Sequence, residues 1–378
     1  MKIVADENIP YVREAFGALG EVITAPGRAI TPALLDGAEA LLVRSITKVN
    51  RGLLDGTPVR FVATATIGED HIDKAYLAER DIAFSSAPGC NANSVGEYIV
   101  AALLVLAERH RLNLKGMSLG IVGVGNVGRR VHAKAQALGL HCVLNDPPLA
   151  DETGEARYRP LKDILDCDII TLHVPLEKAG KYPTWHLADE RFLTSLKAGA
   201  IFINSSRGPV TDNAALRQLL QVKRLRAAVL DVWEGEPQLD PELLRLVDLG
   251  TPHIAGYSFD GKVNGTRQIC EAFCRFLGQP ATWDPSPLLP PPDCPELQVD
   301  PALPGALAGA VRAVYDIIQD DAAMRGVLDL PTPERGPYFD KLRKHYPRRR
   351  EFFNTRVRLS TPSPELERCF ASLGFRCE

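Results

Sequence analysis

The stretch SLGIVGVGNVGRRVHAKAQALG, residues 118–139, decides the reading of the fold. A β-rich run leads into Gly123-x-Gly125-x-x-Gly128, whose glycines open a helix-forming segment, VGRRVHAKAQAL (127–138). The next short apolar run, HCVLND, ends at Asp146, about the 20-residue interval expected between such a glycine loop and a ribose-binding acid. By itself the glycine pattern can be no more than a turn. In this setting each glycine has a mechanical task. Gly123 permits the tight turn, Gly125 lets a pyrophosphate approach the backbone, and Gly128 lets the helix pack close to the strand. A carboxylate at Asp146 accepts hydrogen bonds from the adenosine ribose and repels a 2′-phosphate, so the expected cofactor is NAD rather than NADP.

Outward from this stretch, the runs DIITLHV, AIFINSS and AAVLDV complete a second set of strands separated by helix-length segments. The first ninety residues repeat the theme with KIVAD, EVITA, ALLVRS, VRFVATA and DIAFSSA. Runs apolar on both sides of the pleat, joined by helices, predict parallel sheets covered on both faces. The expected fold class is α/β, with two doubly wound parallel-sheet domains: a flavodoxin-like substrate domain (1–93 and 257–285) and a Rossmann NAD domain (94–256). Residues 94–110 predict a long helix with Ser94 as N-cap and Glu97 completing a capping box. Prolines crowd residues 283–304 and predict a linker without ladder hydrogen bonds. Beyond it, a small α+β C-terminal dimerisation domain is expected over 286–378, one helix of it spanning ALAGAVRAVYDIIQDD.

Composition narrows the class further. At 378 residues the chain is too long for one core, and a net charge of −3 with interspersed signs gives no footprint for nucleic acid or an anionic membrane. The eight cysteines show no CxxC pair or metal-finger spacing, and Cys270 and Cys274 fall at helical spacing beside Ile269 and Phe273, so core packing is expected rather than metal binding. MKIVADENIP lacks the apolar run of a secretory signal, and a cytoplasmic location is expected.

Three strand ends carry groups that could meet at a cofactor: Arg207 in SSRGPVTDN, Asp231 and Glu236 in DVWEGEP, and His253 in TPHIAGYS. A guanidinium can hold a carboxylate and polarise the adjacent C–O bond, an imidazole can trade a hydroxyl proton, and a carboxylate can orient and charge that imidazole. Singly, each also reads as a surface salt-bridge partner, a solvated turn residue or a structural histidine.

The blocks LKAGAIFINSSRGPVTDNAALRQLL, LDVWEGEP and TPHIAGYS resemble the signatures of the D-isomer-specific 2-hydroxyacid dehydrogenases. ADENIP, LLVRSITKVN, ATATIGEDHID and the tail FDKLRKHYPRRREF are similar to the branch of that family that oxidises 4-phospho-D-erythronate to (R)-3-hydroxy-2-oxo-4-phosphobutanoate in vitamin B6 biosynthesis, with NAD as acceptor and a homodimeric assembly. The resemblance implies Arg207, Glu236 and His253 as catalytic residues. It implies Ser45, Thr66 and Tyr257 as substrate contacts, and Asn126, Val127, Asp146, Asp231 and Gly256 as cofactor contacts. One departure is Val174 in LHVPL, where relatives commonly carry threonine; its backbone can still line the cofactor site. For the substrate phosphate, Arg44 beside Ser45 is a candidate. The run RKHYPRRR (343–350) is another, although a solvated basic face or dimer contact accounts for most of it. Rival expectations are another 2-hydroxy acid such as 3-phosphoglycerate or glycolate, a non-catalytic NAD(H)-sensing corepressor of the same fold, or a catalytically idle dimeric scaffold.

Overall fold

The computed structural model describes residues 1–377. The chain divides into two compact units, Met1–Asn91 with Ser258–Pro291, and Ala92–Tyr257 with Pro292–Glu378. The C-terminal segment from Pro292 on clusters with the residues that carry the glycine loop.

In the first unit, β1 (Lys2–Asp6), β2 (Glu21–Ala25), β3 (Ala38–Val43), β4 (Phe61–Thr64) and β5 (Ala83–Ser85) form one sheet in the order β2-β1-β3-β4-β5. All pairings are parallel, the flavodoxin-like order. Every residue of β4 is buried, as expected of a strand covered on both faces. The helix Phe259–Phe276 belongs to this unit and packs Phe273 against Phe61 and Phe16, at 4.9 and 5.8 Å between ring centroids. Cys270 and Cys274 lie buried in that same core.

The second unit contains β6 (Ser118–Val122), β7 (His141–Asn145), β8 (Ile169–Leu172), β9 (Ile201–Asn204), β10 (Ala227–Leu230) and β11 (Leu249–Gly250), in the order β11-β10-β9-β8-β6-β7. An isolated parallel bridge between Leu144 and Tyr158 stands on the outer side of β7, where a Rossmann sheet places one further strand. The helix Ala92–His110 starts ahead of Ser94, so the predicted capping box is not formed. Ser94 and Glu97 are instead fully buried and serve tertiary contacts: Ser94 Oγ donates to Ala255 O at 2.8 Å, and Glu97 Oε1 accepts from Phe352 N at 2.8 Å.

The tail forms a small α+β arrangement around β12 (Glu296–Val299), β13 (Arg356–Leu359) and β14 (Arg376–Cys377). β12 lies inside the segment expected to be a linker. Its four residues contain no proline, and it occupies an edge, so the flanking prolines do not obstruct its ladder with β13. The expected long helix breaks at Tyr315, and Asp316 caps the second half by accepting from Ile318 N at 3.1 Å. The basic run is only partly a solvated face. Arg348 is exposed, whereas Arg349 and Arg350 are buried. No helix among the described residues is long and apolar enough to cross a membrane.

Candidate active site

The glycine loop is close-packed at two of its glycines and open at the third. Gly123 has φ +86°, and a Cβ there would meet the His173 carbonyl oxygen at 2.5 Å. At Gly128 a Cβ would sit 2.0 Å from the Gly123 carbonyl, so the helix Asn126–Ala137 can rest on the loop only with glycine at that position. A Cβ on Gly125 would meet nothing, which leaves an open approach to the backbone at a helix N-terminus that has no side-chain cap. Asn126 and Val127 form the first helical residues behind it. Asp146 follows β7 and holds the loop through Oδ2, which accepts from Val124 N at 2.7 Å; its Oδ1 caps the next helix by accepting from Leu149 N at 3.0 Å. Val174 flanks the loop, with Cγ1 2.9 Å from the Cβ position of Gly123. Beside it, burial pushes the His173 imidazole down to about 3, so it is neutral at physiological pH. These residues fit a bound dinucleotide.

Past the ends of β9, β10 and β11, three loops are locked together. Arg207 is half-buried in extended backbone, its carbonyl accepting from Asn204 Nδ2 at 3.0 Å and its Nη1 donating to Ser206 O at 2.8 Å. The next residue, Gly208, runs so close to Trp233 that a Cβ would lie 2.0 Å from the Trp233 carbonyl. Trp233 is fully buried and donates its indole N–H to Thr251 O at 2.9 Å. Asp231, only 1% exposed, accepts from Thr251 Oγ1, Ile254 N and Ala255 N at 2.6, 2.7 and 2.9 Å. Its own carbonyl accepts from His253 N at 2.7 Å. Asp231 thus shapes the loop that carries His253 and leads to Gly256.

His253 has φ +57°, a left-handed backbone that costs a non-glycine residue about 1–2 kcal/mol and persists only where neighbours enforce it. In that conformation its Nδ1 lies 2.5 Å from Glu236 Oε1. Glu236 Oε2 accepts from Trp233 N at 3.1 Å. Burial would push the Glu236 carboxyl up, but the charges of His253 and Arg343 outweigh it and hold the group below the usual range. The carboxylate is therefore ionised at neutral pH. With Nδ1 occupied, Nε2 is the nitrogen left for proton exchange. His253 and Glu236 meet as the sequence predicts, whereas Arg343 was not foreseen as part of this group. Its guanidinium stands 5.7 Å from the Tyr257 ring centroid and bears electrostatically on Glu236.

The predicted substrate contacts of the first unit also follow strand ends. Ser45 is exposed two residues beyond β3. Arg44 donates from Nη1 to Asn8 O at 3.4 Å. Thr66, beyond β4, is half-buried with Oγ1 2.7 Å from Thr64 Oγ1, and Thr64 Oγ1 is 3.0 Å from His71 Nε2. This hydroxyl–imidazole chain was not anticipated, because His71 carries no signal in the sequence beyond its type.

Residues 105–255 match the family model described as the D-isomer specific 2-hydroxyacid dehydrogenase, NAD binding domain, and residues 288–374 match a domain of unknown function. Among solved structures, D-lactate dehydrogenase from Aquifex aeolicus, complexed with NAD and lactic acid, shares the fold at a TM-score of 0.59 and 24% identity, covering 73% of this chain and 95% of its own. The NAD-bound 3-phosphoglycerate dehydrogenase of Entamoeba histolytica does so at 0.62 and 23%, covering 73% and 96%. Curated erythronate-4-phosphate dehydrogenases from Cronobacter sakazakii and Shigella flexneri are 51% and 50% identical over 354 residues, 93% of this chain and 92% of theirs. The chain belongs to the D-isomer-specific 2-hydroxyacid dehydrogenases and, within them, to the erythronate-4-phosphate dehydrogenase family. As a member it is an NAD-dependent oxidoreductase.

Proposed function

We propose that the chain oxidises 4-phospho-D-erythronate to (R)-3-hydroxy-2-oxo-4-phosphobutanoate in the cytoplasm, as a homodimer, within pyridoxal 5′-phosphate biosynthesis. The observation that carries this reading is the Glu236–His253 contact at the ends of strands whose first loop is built for a dinucleotide. NAD, when bound, supplies the acceptor for the hydrogen on substrate C2. His253 takes the C2 hydroxyl proton on Nε2, and ionised Glu236 on Nδ1 stabilises the resulting imidazolium. Arg207 pairs with the substrate carboxylate and fixes the direction in which the C2 hydrogen points. Gly123, Gly125, Asn126, Val127 and Gly128 cradle the pyrophosphate, and Asp146 takes the ribose hydroxyls. Val174, Asp231 and Gly256 complete the cofactor side, Asp231 by fixing the loop that ends at Gly256. Ser45, Thr66 and Tyr257 contact the substrate, with Arg44 toward its phosphate. The first unit serves as the substrate domain and the tail as the dimerisation domain. None of the eight cysteines is in a disulfide, in keeping with a reducing compartment.

The test is a panel of 2-hydroxy acids with NAD and the purified protein, read by NADH absorbance. Reduction with 4-phospho-D-erythronate, and not with erythronate, 3-phosphoglycerate or glycolate at equal concentration, is the expected result. Preference for another acid, or no reduction with any, contradicts the reading.

A further inference from the structure

The loop that carries His253 is held at both ends by residues of the C-terminal segment. Before the histidine, Gly250 N donates to Asp321 Oδ1 at 2.8 Å. Asp321 is itself fixed by Arg325 Nε at 2.9 Å, and Arg325 also donates to the Leu244 and Val247 carbonyls. After the histidine, the Ala255 carbonyl accepts from Arg349 Nη2 at 3.0 Å and from Ser94 Oγ. The Arg349 guanidinium also bonds Ser94 Oγ and stacks 4.0 Å from the Tyr315 ring centroid. Tyr315 and Tyr346 in turn both donate to Asp320 Oδ2 at 2.9 Å.

Arg349 is a poor device for stability alone. It is buried, and its Nε and Nη1 find no hydrogen-bond partner among the described residues; Glu97 Oε2, nearby in the same interior, has none either. A buried charge with donors unmet costs free energy that an apolar side chain of similar volume would not. What Arg349 does supply is a fixed donor to the carbonyl two residues beyond His253, whose left-handed backbone needs its surroundings to hold it.

We infer that Arg349 is a positioning residue for the dehydrogenase reaction: from the C-terminal segment it clamps the Ala255 carbonyl and so keeps His253 in register with Glu236. This rests on the reading of His253 as the proton acceptor. It gives the tail a part in turnover distinct from assembly.

The experiment compares the full-length parent with Arg349→Gln and Arg349→Lys. Substrate kcat and KM, NADH affinity by fluorescence titration and amide hydrogen exchange of the peptide spanning 250–257 are measured on each. For Arg349→Gln the expected result is faster exchange in that peptide and a kcat reduced by roughly tenfold or more, with KM and NADH affinity within about twofold. Arg349→Lys recovers part of the loss. Unchanged exchange and kcat in a folded Arg349→Gln protein overturn the inference, as does a fall of kcat and NADH affinity in step with the folded fraction. Should Arg349→Gln not fold, Arg349→Met, which keeps the stem and removes the donors, is measured with the same expectations, and unchanged exchange and kcat there also overturn the inference. A parent inactive on every 2-hydroxy acid defeats the functional reading instead, and the exchange measurement still decides whether Arg349 holds the loop.

Discussion

Nδ1 of His253 lies 2.5 Å from Glu236 Oε1, in a backbone conformation that Asp231 enforces through the amides of Ile254 and Ala255. The contact selects the tautomer of the ring and assigns proton exchange to Nε2. Glu236→Gln keeps the shape and removes the charge that stabilises the imidazolium. We expect kcat to fall by roughly 100-fold with NADH affinity unchanged, as read by steady-state turnover and fluorescence titration. Because the folded carboxyl is held below its ordinary 4.5, the stabilisation from this pair is present above that value. It is lost only as pH falls through the lower folded value. A wild-type kcat in Glu236→Gln contradicts the assignment.

The glycine loop separates folding from binding. Gly128→Ala forces a methyl group to 2.0 Å from a backbone oxygen and should lower Tm and abolish NADH binding together. Gly125→Ala faces open space, so Tm should hold while NADH affinity falls, because the new methyl occupies the approach to the pyrophosphate. Unchanged NADH affinity in Gly125→Ala would show that the openness at Gly125 has no part in binding.

Asp146 caps a helix and, in the proposed reading, also faces the cofactor ribose, and its replacement should test both. Asp146→Ala removes a helix cap worth about 1 kcal/mol and also removes the negative charge that repels a 2′-phosphate. A modest drop in Tm and a shift of kcat/KM from NAD toward NADP are expected; unchanged cofactor preference would remove Asp146 from the ribose site.

Much of this was legible because it follows from short-range rules. Glycine spacing after a strand, two-sided apolar runs and polar residues at strand ends led to both parallel sheets and to the Glu236–His253 pair. What escaped depends on long-range partners. Ser94 and Glu97 have capping-box spacing, yet their oxygens bond Ala255 and Phe352, which lie far away in sequence. Arg343 and Arg349 read as a basic run, since nothing local reveals that Tyr257 and Ala255 await them. The strand at Glu296–Val299 was hidden by its proline-rich flanks, and only its partner Arg356–Leu359 defines it.

Glu97 supplies a pH dependence of stability. Burial, reinforced by the charge of Glu351, pushes its carboxyl up to about 8 from an ordinary 4.5, against the opposing pull of Lys134 and Arg349. Between those values the folded state keeps a proton that the unfolded chain has released. Stability from this group is therefore complete below about 4.5 and declines as pH rises toward about 8. Glu97→Gln preserves an acceptor for Phe352 N and should flatten that decline in denaturant titrations at pH 5 and pH 8. An unaltered slope would place the proton elsewhere.

The measurement that bears most directly on the central claim is turnover and NADH binding of His253→Ala side by side. NADH affinity equal to that of the parent, with kcat on 4-phospho-D-erythronate lowered by at least about 100-fold, is the predicted result. Undiminished turnover in that variant would contradict it.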